Sequence, residues 1–474
     1  GFMCFGVQYL DTLMFNEDWG GMGGNALIKL NSDVLIPCGK TLTIGSGTHI
    51  SILPLTDEFN LGKDPNRVEI LVEGTLISNG TQQDSVLIYS DGVPPKKGDW
   101  YGIRVTEPCG LVNMNYTSIR YAENALDFYD GSNNTNYIYG YIYHSQLEKN
   151  ATAGIYSLNS ILDLRKTLFS DNTLYGLYCG KTKADIFQDG FIGNGSYGIY
   201  VDRENYISDS VRIVSSVIDG QSATKYNGLY LKHPAARVEG CLIRNCDKDA
   251  GMLVSGYSPK IRLDTLTTKI GVDCSNSASP ALRYCRITPT SMQVGVNARS
   301  GSFPDLGVGS SDKGNNSIFP TSMSGGYRVV NSNVLTSISA KYDWWGTSSP
   351  IPSMFSGLVA YDPWLSGEPP PPPKVSTPEE LPRDFFVSNN YPNPFNPSTR
   401  INYSIPSRGI LQITIYNILG QQVKSLYDGR VNAGFYQLSW DGTDNQGMQV
   451  GSGIYLINFR FNDSIETRKA VLLR

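Results

Sequence analysis

A phrase opening with Gly and an aliphatic residue recurs along this chain, and a regular period of that kind leaves few folds open. It reads Gly102-Ile-Arg-Val105, Gly154-Ile-Tyr-Ser157, Gly176-Leu-Tyr-Cys179, Gly198-Ile-Tyr-Val201 and Gly228-Leu-Tyr-Leu231. It continues as Gly251-Met-Leu-Val254, Gly271-Val-Asp-Cys274, Gly295-Val-Asn-Ala298 and Gly326-Tyr-Arg-Val329. From Gly154 to Gly295 the steps are 22, 22, 30, 23, 20 and 24 residues. A period of that size, with alternating apolar positions, is one turn of a parallel β-helix.

A second phrase supplies another short strand per turn, at Ser118-Ile, Thr167-Leu, Ser216-Val-Ile, Cys241-Leu-Ile and Cys285-Arg-Ile. Asn150, Asn172, Asn194 and Asn245 are expected at one point of successive turns, with Gly220 filling the gap. Neighbouring turns stand ~4.8 Å apart, so such a column predicts a ladder of side-chain amides. Period-2 alternation sends Ile155, Leu177, Ile199 and Leu229 inward, together with Ser157, Cys179, Val201 and Leu231. The residue between them faces out and is Tyr in four consecutive turns: Tyr156, Tyr178, Tyr200 and Tyr230. Such a stripe has three readings: turn-to-turn packing, self-association, and contact with carbohydrate.

Composition narrows the partners. Only 17% of the 474 residues are charged and the net charge is −4, so no basic field is present to neutralise nucleic-acid phosphates. No apolar run reaches the ~18 residues of a membrane span. The start, Gly1-Phe-Met-Cys-Phe-Gly6, lacks a basic and then apolar leader, and residue 1 reads as a processed or trimmed start. The eight cysteines contain no Cys-x-x-Cys pair, which argues against zinc. Cys4 with Cys38, or Cys241 with Cys246, are the pairings expected in an oxidising compartment; the alternative is that most are small buried hydrophobes.

Four regions follow. Residues 1–30 read as an N-terminal cap or contact arm, 31–365 as a right-handed parallel β-helix, 366–382 as a proline-rich linker, and 383–474 as a small Ig-like β-sandwich. The opening runs Ser32–Ile44, Val72–Leu76 and Gly98–Ile103 resemble the first coils of secreted, pectate-lyase-like right-handed β-helix proteins. Tyr342-Asp-Trp-Trp-Gly-Thr347 and Val359–Trp364 resemble their closing coil.

The tail carries Asn390-Tyr-Pro-Asn-Pro-Phe-Asn-Pro397, that is Tyr391, Pro392, Asn393, Pro394, Phe395, Asn396 and Pro397. Gly420, Trp440-Asp441-Gly442, Gly453 with Tyr455, and Lys469 follow. In this order and spacing they resemble the C-terminal sorting domain of type IX secretion cargo. The resemblance implies the type IX machinery as partner, and a secreted or outer-surface location in a Gram-negative bacterium.

Candidate chemistry is sparse. Asp163 and Asp185 share a column one turn apart, which makes them the candidate cation pair, with Ca²⁺ the ion such oxygens suit. Asp202, Arg203 and Glu204 beside Lys232 and His233 are either a groove or a charged turn. None of the three histidines (His49, His144, His233) lies in the Gly-His-Gly setting of polygalacturonases. The expectation is an exported, non-catalytic rod with a structural, adhesive or assembly role and no cofactor. The alternatives are a polysaccharide lyase or hydrolase, and a glycan-binding module without turnover.

Overall fold

The computed structural model describes residues 3–8, 12–13, 15–20, 26–59, 61–129, 138–202, 210–221, 226–246, 248–290, 293–320, 326–372, 385–387, 390, 393–405, 409–431, 434–462 and 464–473. The chain divides into two compact units, each described by itself below.

The first unit is a parallel β-helix of three long sheets. Sheet I holds 13 described strands, from Val34–Ile36 through Ala153–Leu158 to Phe355–Ser356. Sheet II holds 11, from Glu17–Trp19 through Ser160–Arg165 to Ala281–Arg283. Sheet III holds 13, from Met3–Gln8 through Leu168–Ser170 to Ser317–Ile318. Met3–Gln8, Glu17–Trp19 and Ala26–Leu30 all lie within the first 30 residues and already belong to these sheets. The β-helix therefore begins earlier than the composition suggested.

The interior follows the alternation. Ile155, Leu177, Ile199 and Leu229 form one buried column, and Ser157, Cys179, Val201 and Leu231 the next. Each fully buried aliphatic side chain contributes about 1.5–3 kcal/mol, so a single coil is held mainly by its neighbours. Gly is obligatory where the repeat shows it. A Cβ on Gly154 would lie 2.7 Å from the Gly176 carbonyl oxygen, and one on Gly176 would lie 2.6 Å from that of Gly198.

Several described corners from sheet II to sheet III turn on one non-glycine residue in the left-handed region: His144, Lys166, Gln188, Ser215, Leu263 and Tyr284, with φ between 49° and 59°. Such a residue costs roughly 1–2 kcal/mol. At several corners the residue after the left-handed one offsets that cost, because its buried side chain accepts a backbone N–H of the preceding coil. Ser145 accepts from Thr117 (3.1 Å), Asp189 from Thr167 (2.6 Å), Ser216 from Asp189 (3.2 Å), Asp264 from Cys241 (2.6 Å) and Asp343 from Asn316 (2.8 Å). Burial drives the carboxyl pKa of Asp264 up to about 8, and raises those of Asp189 and Asp343 well above the usual range.

The second corner carries the amide ladder. Asn150 Nδ2 donates to Asn172 Oδ1 (2.8 Å), and Asn172 Nδ2 to Asn194 Oδ1 (2.9 Å). Asn245 is not a member, which corrects the expectation. It lies one residue early, at a left-handed corner (φ 55°), and donates to Asp219 at 2.9 Å. The 30-residue step before it brings in Tyr226 instead, whose buried hydroxyl donates to the Phe191 carbonyl. That hydroxyl repeats the bond Asn194 makes to Phe169 one coil earlier, so Tyr226 closes the ladder.

The cysteine pairing also differs from expectation. Cys38 bonds Cys109 across a Cα–Cα distance of 5.5 Å, while Cys241 and Cys246 are buried thiols not joined to each other. The corner between the two partners is recessed at Gly74, where a Cβ would meet the Pro37 and Lys40 carbonyl oxygens at 2.3 and 2.5 Å. Corners two coils apart meet over that recess. At the start of the linker segment, Glu368 is fastened to the β-helix by Arg286 (2.7 Å) and the Ser317 hydroxyl (3.0 Å).

The second unit is an antiparallel sandwich. Phe386–Val387, Thr399–Ile405 and Gly434–Trp440 form one sheet; Gln422–Val431, Gly409–Asn417, Gly453–Phe461 and Ser464–Leu472 form the other. Ile401, Ile405, Leu411, Ile413, Ile415, Trp440, Ile457 and Phe459 are fully buried between them. No described helix is long and apolar enough to cross a membrane.

Candidate functional site

The outward face of sheet I brings the four predicted tyrosines together. Tyr156, Tyr178, Tyr200 and Tyr230 are in register over four coils. Their rings lie 4.5, 5.4 and 4.4 Å apart, within 8° of parallel. Tyr175 and Tyr197 form a second column, tilted or edge-on to the first, with Tyr175 5.5 Å from both Tyr178 and Tyr200 and Tyr197 5.1 Å from Tyr200. Ring faces on which a sugar would lie are therefore taken up by the next coil's ring, and the half-exposed edges point outward. Burial and the neighbouring Tyr230 raise the Tyr200 phenol above its ordinary range.

The stripe runs on into charges that sequence reasoning missed. Asp127 precedes Tyr156 in the same column, and Arg104 precedes Asp127. Asp127 is only 3% exposed and accepts the Tyr101 hydroxyl at 3.0 Å. Burial raises its pKa against the pull of that bond. Upstream on this sheet, Glu69 accepts two backbone amides at 2.6 and 2.7 Å and Asp33 accepts the Glu69 amide at 2.6 Å. Burial pushes Glu69 up to about 7 and Asp33 up to about 6. The recurring register was the available signal, because Asp127 sits in it one coil before the first Tyr.

On sheet II, Asp163 and Asp185 are indeed opposite one another. Arg165 lies between them, bonding each at 2.7 Å, and Arg212 approaches Asp185 at 3.5 Å. The Tyr143 hydroxyl donates to the other oxygen of Asp163 at 3.1 Å. A guanidinium thus occupies the place the candidate Ca²⁺ was to take. Its presence was legible, since Arg165 is two residues from Asp163 on the same face. Among the described residues, no group of three or more His, Cys, Asp or Glu converges as metal ligands.

Asp202 pairs with Lys232 at 2.8 Å one coil on. His233 is buried and its Nδ1 accepts the Ala235 amide at 3.1 Å. Arg203 and Glu204 lie outside the described residues.

The tail motif converges although its parts are far apart in sequence. Asn393 Nδ2 donates to the Lys469 carbonyl, and Asn393 Oδ1 accepts the Val471 amide, both at 2.8 Å. Phe395 is buried against Trp440 at 5.4 Å, and Trp440 meets Tyr455 edge-on at 5.0 Å. The Tyr455 hydroxyl donates to the Gly451 carbonyl at 2.8 Å. Asp441 accepts the Thr443 amide and hydroxyl and Lys424. Gly420 and Gly442 take φ of 76° and 70° in turns, and Gly453 opens a strand. Pro394, Asn396, Pro397 and the Lys469 side chain are exposed. Tyr391 and Pro392 lie outside the described residues.

Comparison with known proteins agrees with this division. Residues 401–461 match the family model of the FlgD Ig-like domain. No curated protein matches the chain. Among solved structures it is similar to dimeric latent PorU from Porphyromonas gingivalis, at 18% identity and a TM-score of 0.17, over 21% of this chain and 10% of that one. It is also similar to the tailspike protein gp49 of Acinetobacter baumannii bacteriophage Fri1, a capsular polysaccharide depolymerase, at 9% identity and a TM-score of 0.19, over 98% of this chain and 78% of that one. The chain is a three-sheet parallel β-helix followed by a small antiparallel Ig-like sandwich.

Proposed function

We propose that this chain is an exported, non-catalytic β-helix rod with a structural, adhesive or assembly role, routed by its C-terminal sandwich as a type IX sorting domain. The observation that carries the reading is the way the repeat columns are used. The tyrosine rings stack on one another, the Asn side chains bond coil to coil, and Asp163 and Asp185 are joined through Arg165. Side chains that an enzyme or a sugar-stacking platform would turn toward a ligand are spent here on cohesion along the axis. The exposed Cys38–Cys109 bond favours an oxidising compartment, as export requires.

Two measurements in the producing cell test this. Removing residues 383–474 should leave the rod inside the cell; surface delivery without them would sink the sorting half. Native material imaged by electron microscopy should show the chain in ordered filaments or sheets. Release of unsaturated or reducing sugar ends from an acidic polysaccharide, abolished by Asp163→Ala or Asp202→Ala, would overturn the non-catalytic half.

A further inference from the structure

The outward face of sheet III carries an apolar strip. Phe169, Phe191, Ile218 and Ile243 form the inward column of that sheet, so alternation turns Leu168, Ile192, Val217 and Leu242 outward. These four form an apolar cluster separate from the interior, and Leu168, Ile192 and Val217 are only 3, 5 and 0% exposed. Neighbours in the strip shield the flanks of such a side chain, but a tip that points away from the sheet is buried only under a further segment.

The column of Leu168, Val217 and Leu242 continues in register as Thr265, Arg286 and Ser317. The Leu365 amide donates to the Asp343 carbonyl in the closing coil, and Glu368 then bonds Ser317 and Arg286, so the chain has turned back along this column. Just beyond, Pro369 and Pro372 are half-buried while Pro370 and Pro371 are exposed. A polyproline helix has three residues per turn, and this spacing is that of one ridge laid on a surface. In the sequence the same ridge reads on as Val375 and Pro378, apolar at each step. At ~3.1 Å per residue against ~4.8 Å per coil, Pro372 comes about level with Leu242, and Val375 with Gly190. Gly190 is the position of the column without a side chain, which leaves room for a valine.

We propose that this strip is the docking surface of the chain's own proline-rich linker, which runs along it from Glu368 to Pro378 as a polyproline ridge with Pro369, Pro372, Val375 and Pro378 turned toward the sheet. The linker is then a strap on the rod, and its free part begins after Pro378 instead of at Ser366. Prolines are already set in the extended form, so docking them orders little backbone. A second copy of the chain is the poorer occupant, because a tethered segment meets the strip at an effective concentration of roughly millimolar. The inference stands whether or not the tail directs export.

Cross-linking in the full chain tests it. Under mild oxidation, Leu242→Cys with Pro372→Cys should form a bond within one chain at least about tenfold faster than Leu242→Cys with Pro371→Cys, whose ring faces solvent. Peptide mapping by mass spectrometry reads the bond. A second measurement leaves the β-helix sequence untouched. Trypsin should cut after Lys374 at least about tenfold faster once Pro372→Ser and Val375→Ser blunt the ridge, with the thermal transitions of both units retained. Equal cross-linking of the two pairs, or cleavage of the native chain as fast as the variant, would overturn the proposal. A bond formed between two chains would overturn it too, by giving the strip to a second copy.

Discussion

The β-helix and the sandwich hold themselves together by opposite logics. In the β-helix each residue is answered by the residue one turn on: Tyr178 by Tyr200, Asn172 by Asn194, Gly176 by Gly198. In the sandwich the partners are remote and unlike, as when Asn393 holds the last strand or Phe395 packs on Trp440. Repetition spreads stability over many small equivalent terms, whereas the sandwich concentrates it in a few contacts. It also buries acids along one corner, while the notable acid of the sandwich, Asp441, lies at the surface in a net of hydrogen bonds.

The largest expected effect separates the two units by pH. Asp264 is pushed from an ordinary 3.8 up to about 8 by burial, and Asp189 and Asp343 shift the same way. A raised folded-state pKa gives stability that is complete below the unfolded value and is lost as pH rises toward 8. The β-helix should therefore melt lower at pH 8 than at pH 4.5, by up to roughly 1.4 kcal/mol per pH unit and proton. Asp264→Asn should flatten that slope in calorimetry. Asp441 is shifted down by the Thr443 hydroxyl and by Lys424, so its contribution is lost only as pH falls below the ordinary carboxylate range. A sandwich transition that follows the β-helix between pH 4.5 and 8 would break the contrast.

Next in size, Trp440→Ala should cost the sandwich about 3–5 kcal/mol and leave the β-helix transition in place. Loss of both transitions together would mean the units are not thermodynamically separate. Asn172→Ala should cost the β-helix roughly 2–3 kcal/mol, by stranding the Asn150 amide groups and the Leu147 carbonyl it serves. Chemical denaturation reads this, and a change under about 0.5 kcal/mol would deny the ladder its role. Smallest is Tyr178→Ala, at roughly 1–2 kcal/mol for its two stacked ring contacts, with the tilted contact to Tyr175 lost as well. Unchanged stability there, with loss of filaments, would move the stripe from cohesion to self-association.

Much of the fold was legible because a period repeats its own evidence. The Gly, Tyr and inward aliphatic columns each appear several times, and any one coil corrects the reading of the next. Asn245 was misplaced where the period breaks: the 30-residue step inserts Tyr226, and counting alone gave no sign that a phenol had taken the amide's place. The Ser, Thr and Cys residues opening the second phrase read in the sequence as strand starts, not as a hydrogen-bonding column, and Asp189, Asp264 and Asp343 of that column stand outside the phrase. That role depends on the left-handed residue before each, which a non-glycine sequence does not announce.

The sequence by itself determined the β-helix, the division into two kinds of unit, and which face each repeated residue takes, because strand alternation and coil stacking are local and periodic. Only the tertiary structure decided which groups neutralise one another. Cys38 meets Cys109 because the corner at Gly74 is recessed, and Arg165 rather than a cation joins Asp163 to Asp185. Arg212 reaches back to Asp185, while Arg237 and Lys260 follow on the same column with no ion pair among the described residues, because the coils stack in one register rather than another. Pairing of charges and thiols depends on distances of a few ångströms between coils, and a linear pattern does not hold that information.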